Sequence, residues 1–394
     1  MGSTGSATPA HPARSVSDVV VVGAGVVGAA CAYYAARAGL RVTVLDRGPV
    51  AGGTTGSGEG NLLVSDKEPG PELELALHSA QLWRELAELL PRGVEYEPKG
   101  GLVVASDGAG LAALRTFAAG QDAAGVTVRE IAADRLHDLE PHLAPGLAGG
   151  FLYPQDAQVM PALAAAHLLR ASGAEVRLGQ EVVGLLTAPD GAVRGVRTAS
   201  GVLHAPYVVN AAGAWGGELA RLAGVLLPVL PRRGFVLVTE PLPRVVRHKV
   251  YAADYVADVA SGSAALQTSA VVEGTPAGPV LIGASRERVG FDRSLSVEAV
   301  SRLAAGATAL FPLLAEVRAI RTYAGFRPYL PDHLPAIGAD ARVPGLLHAC
   351  GHEGAGIGLA PVTGRIIADC LVGRQPPLDT SPFDPSRFGA GSDH

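Results

Sequence analysis

Gly23, Gly25 and Gly28 stand in the spacing G-x-G-x-x-G, and Asp46 ends the apolar run that follows the next helical stretch. That spacing suits a dinucleotide. Gly23 permits a tight turn, Gly25 lets backbone approach a pyrophosphate, and Gly28 lets a helix pack closely on a strand. Ala24, Val26 and Val27 fill the positions between, where backbone N–H groups and the positive end of a helix favour phosphate. Asp46, with Arg47 beside it, suits a ribose 2′-hydroxyl, and its charge disfavours a 2′-phosphate. The motif alone does not choose between FAD and NAD. Arg327 sits in Gly-Phe-Arg-Pro, where Pro328 disfavours helix at the arginine. Its planar fork suits a carboxylate, either one of the chain's own 37 acids or one on a ligand. His352, in a glycine-rich loop, is more readily a structural hydrogen-bonder than a catalyst.

The surrounding pattern supplies the elements that such residues need. Val19 to Val22 is a β-branched run expected of a strand buried on both faces. Val26 to Ala38 favours a helix that Gly39 stops, and Arg41 to Leu45 reads as a second strand. Together they make a complete β-α-β unit. The eleven residues Ala51 to Asn61 hold five glycines and are expected to wrap the cofactor. A helix is expected over Pro71 to Leu90, covering the sheet with one apolar face. Strand is expected within Val94 to Ser106, and helices over Leu111 to Ala124, Ala132 to Glu140 and Ala162 to Ala171. Short runs at Glu175 to Leu178, Val182 to Thr187, Val193 to Thr198 and Leu203 to Ala205 read as an antiparallel meander with turns at Asp190-Gly191 and Ser200-Gly201. Tyr207 to Asn210 is again a buried strand, followed by the small residues Ala211 to Trp215.

Pro231 to Thr239, Leu266 to Val272 and Val280 to Ser285 read as strands, the last two paired, and Ser296 to Leu310 as an amphipathic helix. This reads as a sheet-plus-helix unit inserted into the first. After it, Leu346 to Ala349 and Cys350 to Leu371 repeat the order strand, glycine loop, helix. The expected division is a tail over 1–17, a cofactor domain from 18–90, 149–227 and 325–385, and a substrate domain from 91–148 and 228–324.

The 394 residues, 48% hydrophobic and 18% charged, fit a globular protein of one large or two medium domains. A net charge of −5 without a basic cluster argues against nucleic acid, and no apolar run reaches membrane-span length. Cys31, Cys350 and Cys370 lack metal-ligand spacing; with no secretory signal pattern, a cytoplasmic protein is expected and no metal.

Six motifs, in order, resemble one family. They are GAGVVG with Asp46, the loop ending GEGN, YPQDAQVMP, VVNAAGAW, the pair GFRP and PDHLPAIG, and GHEGAGIGLAPVTG. The chain resembles FAD-dependent amino acid oxidoreductases of the D-amino acid oxidase, glycine oxidase and sarcosine oxidase kind. Nearest in texture are types that oxidise glycine, sarcosine, D-proline, D-hydroxyproline or opines. The resemblance implies an α/β fold, with a discontinuous Rossmann-type FAD domain and an inserted α+β domain whose mixed sheet covers the flavin. It implies that Thr54, Thr55, Gly58, Gly60 and Asn61 contact the cofactor, that Val183 meets its adenine end, and that Ala212, Gly213 and Trp215 form a contacting turn. Gly351, His352, Gly354, Ala355, Gly356 and Ile357 would bring a helix N-terminus to the flavin, where it stabilises the negative charge of the reduced ring. Arg327 matches the residue that grips the substrate carboxylate, and with His352 it is a catalytic candidate.

The reaction implied is hydride transfer from the carbon beside an amine to flavin N5, then hydrolysis of the imine. Tyr251, Tyr255 and Gln267 are candidates for the substrate site, with packing an equal alternative. No cysteine lies just before PYLPD, where related sarcosine oxidases attach flavin, so non-covalent FAD is expected. Substrate, electron acceptor (oxygen, or a protein or quinone) and assembly as a homo- or hetero-oligomer stay open. The competing readings are an NAD-dependent dehydrogenase and a flavoprotein subunit with little activity alone. The acidic balance disfavours a third, an RNA-modifying flavoprotein.

Overall fold

The computed structural model describes residues 17–255 and 262–389. Apart from Ser17, the expected tail lies outside them. The β-α-β unit consists of the strand Val19–Val22, the helix Val26–Arg37 and the strand Val42–Asp46. Gly39, at φ 91°, turns the chain out of the helix. Val19 and Val21 pack into one hydrophobic cluster while Val20 and Val22 pack into another. Burial on both faces explains the unbroken β-branched run.

These strands form the middle of a six-stranded sheet. Its order is Ala336–Ala339, Leu346–Cys350, Tyr207–Asn210, Val19–Val22, Val42–Asp46 and Glu175–Leu178. All pairs are parallel except that of Ala336–Ala339 with Leu346–Cys350. Glu175–Leu178 is thus an edge strand of this sheet, and the antiparallel meander consists only of Val182–Thr187, Val193–Thr198 and Gly201–His204. Against the helix Val26–Arg37 lies the helix Gly356–Leu371, brought close by a glycine. A Cβ on Gly364 would stand 2.5 Å from the carbonyl carbon of Ala30.

The second sheet has eight strands. Its order is Ala319–Tyr329, Leu230–Thr239, Val280–Arg286, Gln267–Gly274, Lys249–Ala252, Gly101–Ala105, Gly149–Tyr153 and Arg129–Ala132. Only Lys249–Ala252 and Gly101–Ala105 pair in parallel. The expected pairing of the segments around Leu266 and Val280 is present as Gln267–Gly274 with Val280–Arg286. The helix Val297–Leu310 covers the sheet, its start capped by Ser296 Oγ, which accepts from Ala299 N at 3.2 Å.

Three expectations shift. Gly149–Tyr153, read with the cofactor domain, belongs to the eight-stranded sheet. The strand expected within Val94 to Ser106 starts only at Gly101, because Arg92–Val94 is a short 3-10 turn and Gly100 bends at φ 79°. The helix expected over Ala132 to Glu140 is a 3-10 turn, Ala133–Arg135, followed by a short helix, Leu136–Leu139.

Candidate active site

A cavity of about 890 Å³ runs between the two sheets. That volume sits at the upper end of the range for ligand pockets, about 300–1,000 Å³. At one end its wall is made by Gly23, Gly25, Val26, Val27, Asp46, Arg47 and Val183. Gly25 is the N-cap of the helix Val26–Arg37 and lends it no side-chain cap; Val26 N donates to Thr55 Oγ1 at 3.1 Å. A Cβ on Gly25 would come to 3.0 Å from that same oxygen, so glycine keeps the approach to the helix N-terminus open. Asp46 accepts from Ala24 N at 2.8 Å and from Gly48 N at 2.7 Å, which clamps the turn and leaves further lone pairs on the carboxylate. Arg47 stacks over Trp215, with its guanidinium carbon 4.4 Å from the ring centre.

In the middle of the cavity the wall includes Thr54, Gly58, Asn61, Ala212, Gly213 and Trp215. The helix Gly356–Leu371 opens on the same space through Gly354, Ala355, Gly356 and Ile357, and its N-cap, Ala355, offers no side-chain hydrogen bond. Two helix N-termini whose N-cap residues supply no side-chain hydrogen bond, both on one elongated cavity, fit a dinucleotide carrying phosphates and a ring that gains negative charge. Four expected contact residues are absent from the wall and act behind it. Ala24 bonds Asp46, and Gly28 packs on the turn, where a Cβ would lie 1.9 Å from Gly23 O. A Cβ on Gly60 would lie equally close to Val159 O, and Gly351 turns the chain at φ 83° against Leu330.

At the far end stand Arg327, Tyr255 and His352. Arg327 is surrounded by protein except where it faces the cavity, and its Nη1 donates to Ser285 O at 2.7 Å. Burial, followed by the neighbouring Arg286 charge, pulls it below the ordinary arginine range. Among the described residues no carboxylate lies within 4.0 Å of its guanidinium, whereas Arg232 pairs with Glu353, and Arg233 with Glu287 and Asp292. His352 is buried, with Nε2 at 2.9 Å from Thr363 Oγ1; burial lowers its pKa to about 3, so the ring is neutral near pH 7. Tyr255 lies in the wall with its ring 5.1 Å from the Arg286 guanidinium carbon. The wall does not include Tyr251 or Gln267. The Tyr251 hydroxyl donates to Ser65 in the core, and Gln267 Oε1 accepts from Arg232 Nη2 at 2.9 Å.

Several wall residues were not singled out from the sequence, Glu59 and Arg286 among them. Glu59, in the glycine loop, is buried, and its Oε1 has no hydrogen-bond partner among the described residues; its ion-pair neighbour, Lys249 Nζ at 3.7 Å, lies closer to Glu273, at 2.6 Å. Burial raises the Glu59 pKa. Arg286 stands at the end of the strand Val280–Arg286. A charge closing an otherwise apolar strand was the available signal.

The family model described as FAD dependent oxidoreductase matches residues 18–370. Hydrogen cyanide synthase subunit HcnC of Pseudomonas aeruginosa is 33% identical, the match covering 94% of this chain and 96% of that protein. Glycine oxidase of the same species is 32% identical over 93% of this chain and 98% of its own. The crystal structure of glycine oxidase from Geobacillus kaustophilus superposes with a TM-score of 0.85 at 28% identity, covering 95% of this chain and 99% of that one. L-proline dehydrogenase from P. horikoshii, at 24% identity and a TM-score of 0.86 over 95% and 98% of the two chains, shares the fold. The chain therefore belongs to the FAD dependent oxidoreductase family and is an FAD-dependent enzyme.

Proposed function

We propose that this enzyme oxidises the C–N bond of a small amino or imino acid held by its carboxylate on Arg327. The observation that carries this reading is the Arg327 guanidinium, which faces the cavity with no carboxylate of the described chain within 4.0 Å. A planar fork fixed by one hydrogen bond to Ser285 O keeps its other N–H groups for a ligand. Bound FAD supplies a two-electron hydride acceptor. The chain's own residues position and polarise. Arg327 orients the substrate, which is where an effective concentration of reacting groups gains rate. The N-terminus of the helix Gly356–Leu371 favours negative charge beside it. His352 stays neutral and holds the loop through Thr363. No side chain needs to act as a strong base if the amine arrives unprotonated.

The relatives named glycine oxidase support the substrate class, and the relative named as a subunit supports a second reading, in which this chain works beside a partner protein. Three unpaired cysteines support a reducing compartment, and we place the protein in the cytoplasm. Anaerobic bleaching of the flavin by glycine, sarcosine, D-alanine, D-proline, hydroxyproline and opines tests the substrate class. Bleaching by carboxylate-free amines as fast as by amino acids would sink it. Oxygen uptake and dye reduction by the isolated chain then separate an oxidase, a dehydrogenase and a dependent subunit.

A further inference from the structure

Arg286 is the second guanidinium on the substrate end of the cavity. It is 5% exposed, makes no ion pair within 4.0 Å among the described residues, and its buried Nη1 has no hydrogen-bond partner there. Its one marked contact is the face of Tyr255, 5.1 Å from the guanidinium carbon. Arg327 is tied to the carbonyl of Ser285, the residue directly before Arg286, so the two cations share one corner of the wall. Burying an unpaired charge is costly, and a buried donor with no acceptor adds to that cost. On the same sheet Arg232 and Arg233 are matched by Glu353, Glu287 and Asp292, so the chain neutralises arginines where no ligand is to enter. A substrate with a single carboxylate leaves one of these two neighbouring guanidinium groups unmatched. One with two anionic groups matches both.

We propose that Arg286 receives a second carboxylate of the substrate, so that the enzyme's preferred substrates are amino or imino diacids. The proposal rests on Arg327 as the grip for the first carboxylate. The C–N bond then lies between two fixed charges, and Tyr255 packs beside the second. The chemistry is unchanged. The carbon beside nitrogen gives up a hydride, with its two electrons, to FAD, and nitrogen gives up a proton. Water then cleaves the imine, so that iminodiacetate yields glycine and glyoxylate.

The holoenzyme tests this with matched pairs, iminodiacetate against sarcosine and D-glutamate against D-glutamine, followed by anaerobic flavin bleaching and dye-linked kcat/KM. A charge-assisted pair of hydrogen bonds predicts a preference for the diacid of roughly tenfold to a hundredfold. Arg286→Met should cut the diacid-to-monoacid ratio by a similar factor, and Arg286→Lys should restore part of it. Glutarate, which has no amine to oxidise, should raise the thermal midpoint of the wild-type holoenzyme more than butyrate does, and Arg286→Met should erase that difference. Monoacids preferred over their diacid partners, or Arg286→Met lowering both equally, would overturn the proposal while leaving the Arg327 reading intact. If neither kind bleaches the flavin, both readings fall. The wild-type pairs and the glutarate shift decide the matter even if Arg286→Met does not fold.

Discussion

The guanidinium of Arg327 crosses a strand to reach Ser285: Nη1 donates to the Ser285 carbonyl at 2.7 Å, over Gly234. Arg327 lies on Ala319–Tyr329 and Ser285 on Val280–Arg286, with Leu230–Thr239 between them. A Cβ on Gly234 would stand 2.2 Å from Arg327 Nη1 and 2.4 Å from Ser285 O, so the arginine occupies space that only glycine leaves free. Gly234→Ala should therefore dislodge Arg327 and lower stability by about 1–3 kcal/mol, the usual cost of overpacking. FAD content should stay near one per chain while kcat/KM falls. Wild-type activity in a folded Gly234→Ala protein would separate Arg327 from catalysis.

Arg327→Ala should keep FAD and fold but lose turnover. Removing one partner of a buried charge pair costs roughly 3–5 kcal/mol, on the order of a hundred- to several-thousand-fold in kcat/KM. Arg327→Lys should recover only part, because a point charge does not reproduce the fork. Steady-state kinetics of flavin-loaded protein checks this, and activity of Arg327→Ala within tenfold of wild type would contradict it.

Gly25→Val should give a folded, colourless protein. The added side chain fills the approach to the helix N-terminus, where a Cβ already meets Thr55 Oγ1 at 3.0 Å. Visible absorbance against far-ultraviolet circular dichroism measures both halves of the statement. A Gly25→Val protein with full flavin would show that the pyrophosphate lies elsewhere.

Acid precipitation should release all of the yellow colour. Cys350 is the one cysteine in the cavity wall, and burial pushes its thiol up to about 12, which keeps it protonated and a poor nucleophile. Colour that stayed with the pellet would point to Cys350.

His352 should weaken the fold in acid. Burial lowers its pKa from an ordinary 6.5 to about 3, so between those values the unfolded chain binds a proton that the folded chain does not. Stability contributed by the neutral ring is therefore complete above about pH 6.5 and is lost as pH falls toward 3. His352→Gln, which can still bond Thr363, should lose less thermal midpoint between pH 7 and pH 4.5 than wild type. An equal loss in both proteins would mean that His352 is not the group concerned.

Local pattern determined much of this molecule. The β-branched run at Val19–Val22, the glycines after it and Asp46 specify the nucleotide-binding turn within one short stretch, because strand, turn and helix there depend on neighbouring residues. The helix expected over Pro71 to Leu90 is present as Pro71–Leu89, set by its own apolar face. Arg327 was legible as a candidate from its glycine, aromatic and proline neighbours. Long-range pairing decided the rest. Glu175–Leu178 carries no mark of its place beside Val42–Asp46, since a short strand does not encode its partner. Tyr251 and Tyr255 look alike in sequence, yet Tyr251 bonds Ser65 in the core while Tyr255 faces the cavity, because local geometry and sheet register set which way each side chain points. Arg286 became a wall residue of the cavity only when the eight-stranded sheet brought it beside Arg327, with no acid within 4.0 Å of it among the described residues. Whether a charge has a partner depends on contacts among residues far apart in the chain, which only the folded molecule determines.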